Sequence, residues 1–360
     1  MIRRALILLT FVTAALNGMA EGVPQLIRFG EVGGTNVRMI GGKPAGVGLV
    51  ALALHLGFFE EAFGPGGPKI DQIYFAGTGP AMNEALTQGN IEFATYGGVP
   101  NVIGLIGHIP AHIVLARRST GASGGNSFIA VRNDSPIKTL NDLKGKRITV
   151  QKGTLPYQML VLFLESRGIG ENELQLVNLA GTEALVAFEA GAVDAVYGGL
   201  NLLLLRDDGK LRILESTRGF SLPAIASGTL VSDRFAKEHP EAVLRVLKAM
   251  IKAAWWASEE KNREELLRFI SERSFSYRYV AEDYEGSLKE RYNPLIDDSI
   301  ATAFGGIVRF SYAHKLIRKE ADEVTIRGWF VPEYQRAALK DLGLENYWSS
   351  TSESVASNPR

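Results

Sequence analysis

Two periods of apolar spacing alternate along most of the chain. Residues 26–30 (LIRFG) read as a first strand, followed by the glycine-rich turn Gly33-Gly34-Thr35-Asn36. Residues 47–59 carry apolar positions at helical spacing, and GPGGP at 64–68 is a loop by composition. Residues 70–75 alternate as a strand. Gly77-Thr78-Gly79-Pro80 then opens a helix that runs to about Gln88, with proline where its missing N–H costs nothing. Residues 91–96 are the next strand. After a Ser- and Gly-rich break at 117–126 the pattern restarts. Strands are predicted at 127–131, 147–151, 174–178 and 193–197. A helical turn at 140–145 and helices at 155–167 and 182–190 lie between them. Residues 213–228 return the chain to the first unit. The last third is helical: 240–258, with Val243, Leu247, Met250, Ile251 and Ala254 on one side, then 263–271 and 333–342.

Strands alternating with helices predict parallel α/β sheets. An internal echo suggests two of them. Ala76-Gly77-Thr78 returns as Ala180-Gly181-Thr182. Each is followed by a helix, a glycine (Gly89, Gly191), an apolar–acidic pair (Ile91-Glu92, Val193-Asp194) and Tyr-Gly-Gly (Tyr96 to Gly98, Tyr197 to Gly199). Helix–strand geometry common to all α/β proteins is the other source of such an echo. The sequence thus predicts two facing lobes: lobe I from 26–118 and 225–345, lobe II from 127–220, hinge crossovers at 119–126 and 221–224, and a disordered tail at 349–360.

In such sheets ligands bind beyond the carboxyl ends of the strands. Here those ends carry small residues leading into helices: Gly34-Thr35, Gly77-Thr78, Gly97-Gly98, Gly153-Thr154 and Gly198-Gly199. Glycine lets backbone come close to a ligand. A helix start offers free N–H groups and a partial positive charge. The expectation is an anion cradle with the Thr78 and Thr154 hydroxyls as further donors, Leu155 beside them at the ligand, and Tyr96, Tyr197 and Leu200 as apolar wall.

Length and charge narrow the function. The 360 residues suit two packed units rather than one core. Basic and acidic residues balance at 39 each, so no overall field gathers nucleic acid. Arg3 and Arg4, an apolar run at 5–16 and the small residues Gly18 and Ala20 read as a signal peptide spanning 1–20, cleaved after Ala20. The run is short of the roughly 20 residues a membrane span needs. There is no cysteine, which excludes disulfides, thiolate metal sites, a cysteine nucleophile and a lipid-modified N-terminal cysteine. An exported chain without a lipid anchor fits a Gram-negative periplasm. His108 and His112 stand four apart, but Pro110 between them spoils helical metal spacing. One of Trp255-Trp256 reads as core and the other as packed against a neighbour, while Arg117-Arg118 reads as a solvated hinge pair bordering the crossover, with reach into the cleft as the alternative.

From residue 70 to about 243 the chain resembles the ABC-transporter periplasmic solute-binding proteins for alkanesulfonate, taurine and nitrate, which have the type II periplasmic-binding fold. The stretches that carry the resemblance are Ala76-Gly77-Thr78-Gly79-Pro80-Ala81, ALTQGNIEFATY at 85–96, VRNDSPIKTLNDLKG at 131–145, RITVQKGT at 147–154, AFEAGAVDAVY at 187–197 and FAKEHPEAV at 235–243. The resemblance implies a monomeric, non-enzymatic binder with no cofactor and no metal. It would close two α/β lobes on a small organic anion and deliver it to an inner-membrane permease and its ATPase. The anionic head would meet Gly77-Thr78, Gly97-Gly98 and Gly153-Thr154. Many sulfonate and taurine binders carry an acidic residue where this chain has Gly98, and their second-lobe strand often ends in Trp or Asp where this one ends Tyr197-Gly198-Gly199-Leu200. Those departures favour a bulkier, less polar anion, such as an aromatic or longer-chain sulfonate or carboxylate. The alternatives are a biosynthetic enzyme of pyrimidine-forming type on the same lobes, a binder of nitrate, an aromatic carboxylate or a pyrimidine, and a binding protein feeding a receptor.

Overall fold

The computed structural model describes residues 23–32, 39–40, 43–44, 46–75, 78–119, 126–218, 220 and 225–348. The expected signal peptide, Gly34, Thr35, Gly77 and the tail at 349–360 lie outside the described residues, as does the side chain of Thr78. The strands are β1 (Leu26–Val32), β2 (Met39–Ile40), β3 (Lys43–Pro44), β4 (Lys69–Phe75), β5 (Phe93–Gly97), β6 (Ala111–Ser119), β7 (Phe128–Arg132), β8 (Arg147–Thr149), β9 (Gln175–Val177), β10 (Ala195–Gly198), β11 (Leu211–Ser216) and β12 (Ile225–Ser232).

Ten of them form two five-stranded sheets. The first has the order β4-β1-β5-β12-β6 and the second β11-β7-β10-β8-β9. Each contains a parallel triple: β4-β1-β5 in the first, β9-β8-β10 in the second. In each, one strand then runs antiparallel beside the triple, β12 or β7, and an edge strand pairs antiparallel with it. The two sheets therefore share one plan: a short pair β2–β3 stands apart, and the antiparallel strands β7 and β12 are where the chain enters lobe II and returns to lobe I.

The sequence echo has a physical counterpart. In lobe I the Arg28 guanidinium binds the Glu92 carboxylate and the Gly89 carbonyl (3.0 Å), while the Arg28 backbone N–H donates to Glu92 at 2.7 Å. In lobe II Arg147 does the same with Asp194 (3.0 Å), the Gly191 carbonyl (3.3 Å) and a backbone bond to Asp194 at 2.9 Å. Each clamp ties a first strand to the turn before the third, and Gly89 and Gly191 both take positive φ (71° and 73°) at the helix ends. The side-chain bond to Asp194, followed by a backbone bond, holds that carboxyl below its ordinary pKa against the opposing pull of desolvation.

Helices cover both faces of the first sheet. On one lies Pro240–Ser258, where Val243, Val246, Leu247, Met250 and Ile251 are all buried. Each such side chain contributes about 1.5–3 kcal/mol when fully withdrawn from water. Phe29 and Phe93 stack beneath it with centroids 4.9 Å apart. Thr78–Gln88, Gly98–Ile106 and Asp298–Ala313 cover the other face and continue into a core shared with lobe II.

Several elements depart from the sequence reading. The helix expected at 47–59 is two, Leu49–His55 and Phe58–Phe63, broken at Gly57, whose φ of 73° no helix sustains. Strand β6 occupies residues read partly as crossover. Helix Gly98–Ile106, apolar and buried on nearly every side, was not expected because it offers no polar face; Asp298–Ala313 was also not expected, although Ile300, Ala303, Phe304, Ile307 and Val308 form a helical stripe. Tyr279 packs into the lobe II core, although its segment follows the return to lobe I.

Candidate functional site

Register in the first sheet builds the site. Tyr74 on β4 pairs with Glu31 on β1, Glu31 with Thr95 on β5, Thr95 with Thr229 on β12, and Thr229 with Leu115 on β6. Residues in register on one sheet share a face, and all five line one cavity of about 320 Å³. Two residues along, Gly97 pairs with Ser227 and Ser227 with Arg117, and these three line the same cavity. The floor is thus two rows of a single sheet face at the carboxyl ends of β1 and β5. The start of helix Leu49–His55, Met250 and the segment Tyr292-Asn293-Pro294 complete the lobe I walls. Lobe II contributes Leu155, the first residue of helix Leu155–Ser166.

Gly97 and Leu155 are the point of closest approach between the lobes at this cavity. A Cβ on Gly97 would stand 2.9 Å from the Leu155 Cβ and 3.7 Å from the Leu155 backbone nitrogen. Glycine here lets the helix start of one lobe reach the strand end of the other. Gly153, at φ 75°, turns the chain into that helix, and a Cβ there would lie 3.7 Å from Ile103 Cδ1 of lobe I. The Thr154 hydroxyl caps the helix: it accepts from the Tyr157 N–H at 3.4 Å and donates to the Gln151 carbonyl at 2.5 Å.

The predicted site residues therefore divide. Tyr96, Gly97 and Leu155 line the cavity. Tyr96 does so from the strand while its hydroxyl turns away to Asn83 at 2.5 Å, and burial raises its pKa. Gly153 and Thr154 sit directly behind Leu155, where they shape the helix start. Gly98 faces the lobe I interior: a Cβ there would meet the Ala226 carbonyl oxygen and Ile307 Cδ1, both at 2.4 Å. Tyr197 is buried in the shared core, and Gly199 opens on a space with no neighbour within 4 Å of a Cβ. Neither lines the cavity.

The sequence reading missed Glu31, Tyr74, Thr95, Ser227 and Thr229. Glu31 is 8% exposed and accepts from the Gln72 amide at 3.1 Å. Burial drives its pKa up to about 7, against the opposing effects of Gln72 and Tyr74. The Tyr74 hydroxyl lies beside it without a well-directed hydrogen bond. The Thr95 and Thr229 hydroxyls are 3.0 Å apart. Arg117, expected as half of a solvated pair, is exposed but turns one side to the cavity. Among the described residues no group of His, Cys, Asp or Glu is arranged to hold a metal, and no helix is long and apolar enough to cross a membrane.

Comparison with known proteins bears on the fold and the family. Residues 120–263 match the NMT1/THI5 like family model. A Bacillus subtilis (strain 168) protein named as an aliphatic sulfonates-binding protein is 30% identical over 277 residues, 75% of this chain and 80% of its own. A crystal structure of SsuA, the periplasmic sulfonate-binding protein of a sulfonate ABC transporter from Methylobacillus flagellatus KT, superposes with a TM-score of 0.73 at 25% identity. It covers 92% of this chain and 99% of SsuA. The desulfurization enzyme DSZB shares the fold at 16% identity, with a TM-score of 0.65 over 88% of this chain and 99% of its own. Two mixed sheets of one plan, meeting over a cavity floored by strand ends, define a two-lobed protein of the type II periplasmic-binding fold. Within that class the chain belongs to the aliphatic sulfonates-binding protein family.

Proposed function

We propose that this protein is the solute-binding component of an ABC importer and that it holds an organosulfonate between its lobes. The observation that carries this is the cavity itself. Its floor belongs to one lobe, the helix start at Leu155 comes from the other, and Arg117 supplies a cation within the wall. A sulfonate is a permanent anion. It is suited to a guanidinium fork, the Ser227 hydroxyl and the positive end of a 12-residue helix. A cavity of about 320 Å³ is at the small end of ordinary ligand pockets. Gly97 and Leu155 form the contact through which the lobes close, with Gly153 and Thr154 setting the helix start behind it. Export to the periplasm through cleavage after Ala20, delivery to an inner-membrane permease and its ATPase, and action as a monomer without catalysis belong to the same reading. The DSZB likeness shows only that the fold can also house an enzyme.

The test is a thermal-shift panel of alkanesulfonates, aromatic sulfonates, nitrate and pyrimidines on purified protein. A ligand at 100 times its Kd stabilises the folded form by about 2.7 kcal/mol, so a sulfonate should raise the melting point by several degrees. A rise with pyrimidines or nitrate alone, or steady conversion of any sulfonate into product, would overturn the reading.

A further inference from the structure

Helix Tyr277–Asp283 lines no part of the cavity, yet it is tied to both lobes. Its adjacent residues Tyr279 and Val280, 2% and 0% exposed, pack in different cores, Tyr279 in that of lobe II and Val280 in that of lobe I. On the lobe II side the Tyr279 hydroxyl donates to Asp207 at 2.5 Å, and Arg218 donates to the Glu282 carbonyl at 2.9 Å. On the lobe I side Arg263 donates to the Tyr284 carbonyl at 2.6 Å. Any change in the angle between the lobes strains this helix.

Asp283, its last residue, is the joint. It is buried, and one carboxylate oxygen accepts from the Asn126 backbone N–H at 2.6 Å, where the chain enters lobe II. The other accepts from the Arg291 guanidinium at 2.9 Å, and the Asp283 carbonyl accepts a second Arg291 N–H at 2.8 Å. Arg291 is buried too, with its guanidinium 3.6 Å from the centre of the Tyr284 ring. A buried ion pair adds little net stability over apolar groups of the same size, but parting it leaves a costly lone charge. Arg291 therefore follows Asp283. It ends helix Leu288–Arg291, and the next three residues, Tyr292-Asn293-Pro294, are the cavity wall. The Tyr292 hydroxyl is 3.5 Å from that of Tyr284. Burial raises the Tyr292 pKa well above its ordinary value and Tyr284 adds to this, while the charges of Arg291 and Arg117 oppose it.

Resting on the binding-protein reading above, we propose that Arg291 is a positioning residue: through Asp283 it ties the wall Tyr292-Asn293-Pro294 to lobe II, so that lobe closure and engagement of the ligand by this wall are one event. Arg291 itself does not line the cavity; it acts through Tyr292. Such coupling is reciprocal. A ligand held by the wall must steady residues 277–284, none of which lines the cavity.

The experiment follows amide hydrogen exchange by mass spectrometry in wild-type protein and Arg291→Lys, with and without saturating propane-1-sulfonate, and measures binding rates by stopped flow. Lysine keeps the charge but lacks the fork that reaches both the carboxylate and the carbonyl. In wild type the ligand should slow exchange of residues 277–284 by about fivefold or more. Arg291→Lys should bind about tenfold more weakly, through faster dissociation with association within about twofold. At saturation it should lose the slowing at 277–284 and keep it at 227–229 on the cavity floor. Should that variant fold poorly, Tyr279→Phe cuts the lobe II end of the same link and should at least halve the slowing. Wild type that binds the sulfonate without slowing 277–284, or slowing that persists undiminished in the variant that folds, would overturn the inference and leave the sulfonate reading intact. Persistence is what an Arg291 that only stabilises lobe I would give. Wild type that binds no propane-1-sulfonate would overturn the alkanesulfonate reading and the inference with it.

Discussion

Glu31 carries a stability cost whose sign follows from its environment. Burial raises its pKa from about 4.5 to about 7. Between those values the folded protein keeps a proton that the unfolded chain releases. Stability therefore falls as pH rises through that window and is level above it. A shift of this size corresponds to on the order of 3 kcal/mol. Glu31→Gln removes the cost, because an amide needs no proton to stay neutral. In urea unfolding without ligand, the variant should match wild type near pH 4.5 and exceed it by up to about 3 kcal/mol at pH 8. Parallel curves across that range would mean that water or a neighbouring group already compensates the buried charge.

At the scale of elements, the end of β5 divides two tasks between adjacent glycines. A methyl on Gly97 meets Leu155 of the other lobe, and one on Gly98 meets the Ala226 carbonyl within the same lobe. Gly97→Ala should hold the lobes slightly apart and weaken ligand affinity roughly tenfold, about 1.4 kcal/mol, with the ligand-free melting point little changed. Gly98→Ala overpacks lobe I and should lower stability by about 1–3 kcal/mol. Affinity and melting curves of both variants check the division, and a reversed pattern would reverse the assignment. The sequence showed the glycine pair but not which way each faces, since strand parity is settled by register. The echo between lobes was legible because each copy, from Ala-Gly-Thr through the helix and its terminal glycine to Tyr-Gly-Gly, lies within one continuous stretch of chain; the Arg28–Glu92 and Arg147–Asp194 clamps, 64 and 47 positions apart, were not part of it. Glu31, Thr95, Thr229 and Arg117 were not legible as a site. They come from four strands whose lateral order, β1-β5-β12-β6, joins residues up to 198 positions apart, and no spacing rule reports that. The helix Asp298–Ala313 escaped notice for a different reason. Its stripe of Ile300, Ala303, Phe304, Ile307, Val308 and Phe310 was present at helical spacing and was passed over, yet the end of this helix supplies a lobe–lobe contact.

On the scale of the whole molecule, function depends on how firmly the lobes stay together without ligand. Besides the cavity and the shared apolar core, polar contacts join them among the described residues, and two groups of these matter here. In one, Asp207 of lobe II binds Arg278 and the Tyr279 hydroxyl. Its hydrogen bond from Arg206, then that from Tyr279, push its pKa down to about 2. In the other, His314, at the end of the lobe I helix Asp298–Ala313, bonds Glu171 of lobe II at 2.5 Å. Glu171 also accepts from Tyr157 at 2.8 Å and pairs with Lys152 at 3.4 Å. Burial pushes the Glu171 pKa up, but the Tyr157 and His314 bonds outweigh it and hold the carboxyl below its ordinary value. Of the bonds Glu171 makes, only the one to His314 crosses between lobes, so its energy counts toward closure rather than toward the stability of either lobe. A hydrogen bond to a charged group contributes about 1.5–3 kcal/mol. Discounted for partial exposure, roughly 1 kcal/mol remains to bias the closed state, about a fivefold population shift. His314→Ala should therefore weaken ligand affinity by about fivefold and enlarge the ligand-free protein in small-angle scattering, while saturating ligand restores compactness. Tyr157→Phe, which removes a bond within lobe II, serves as the contrast and should affect stability more than closure. Unchanged affinity and unchanged dimensions in His314→Ala would show that the apolar contact of helices Gly98–Ile106 and Leu155–Ser166 holds the lobes together unaided.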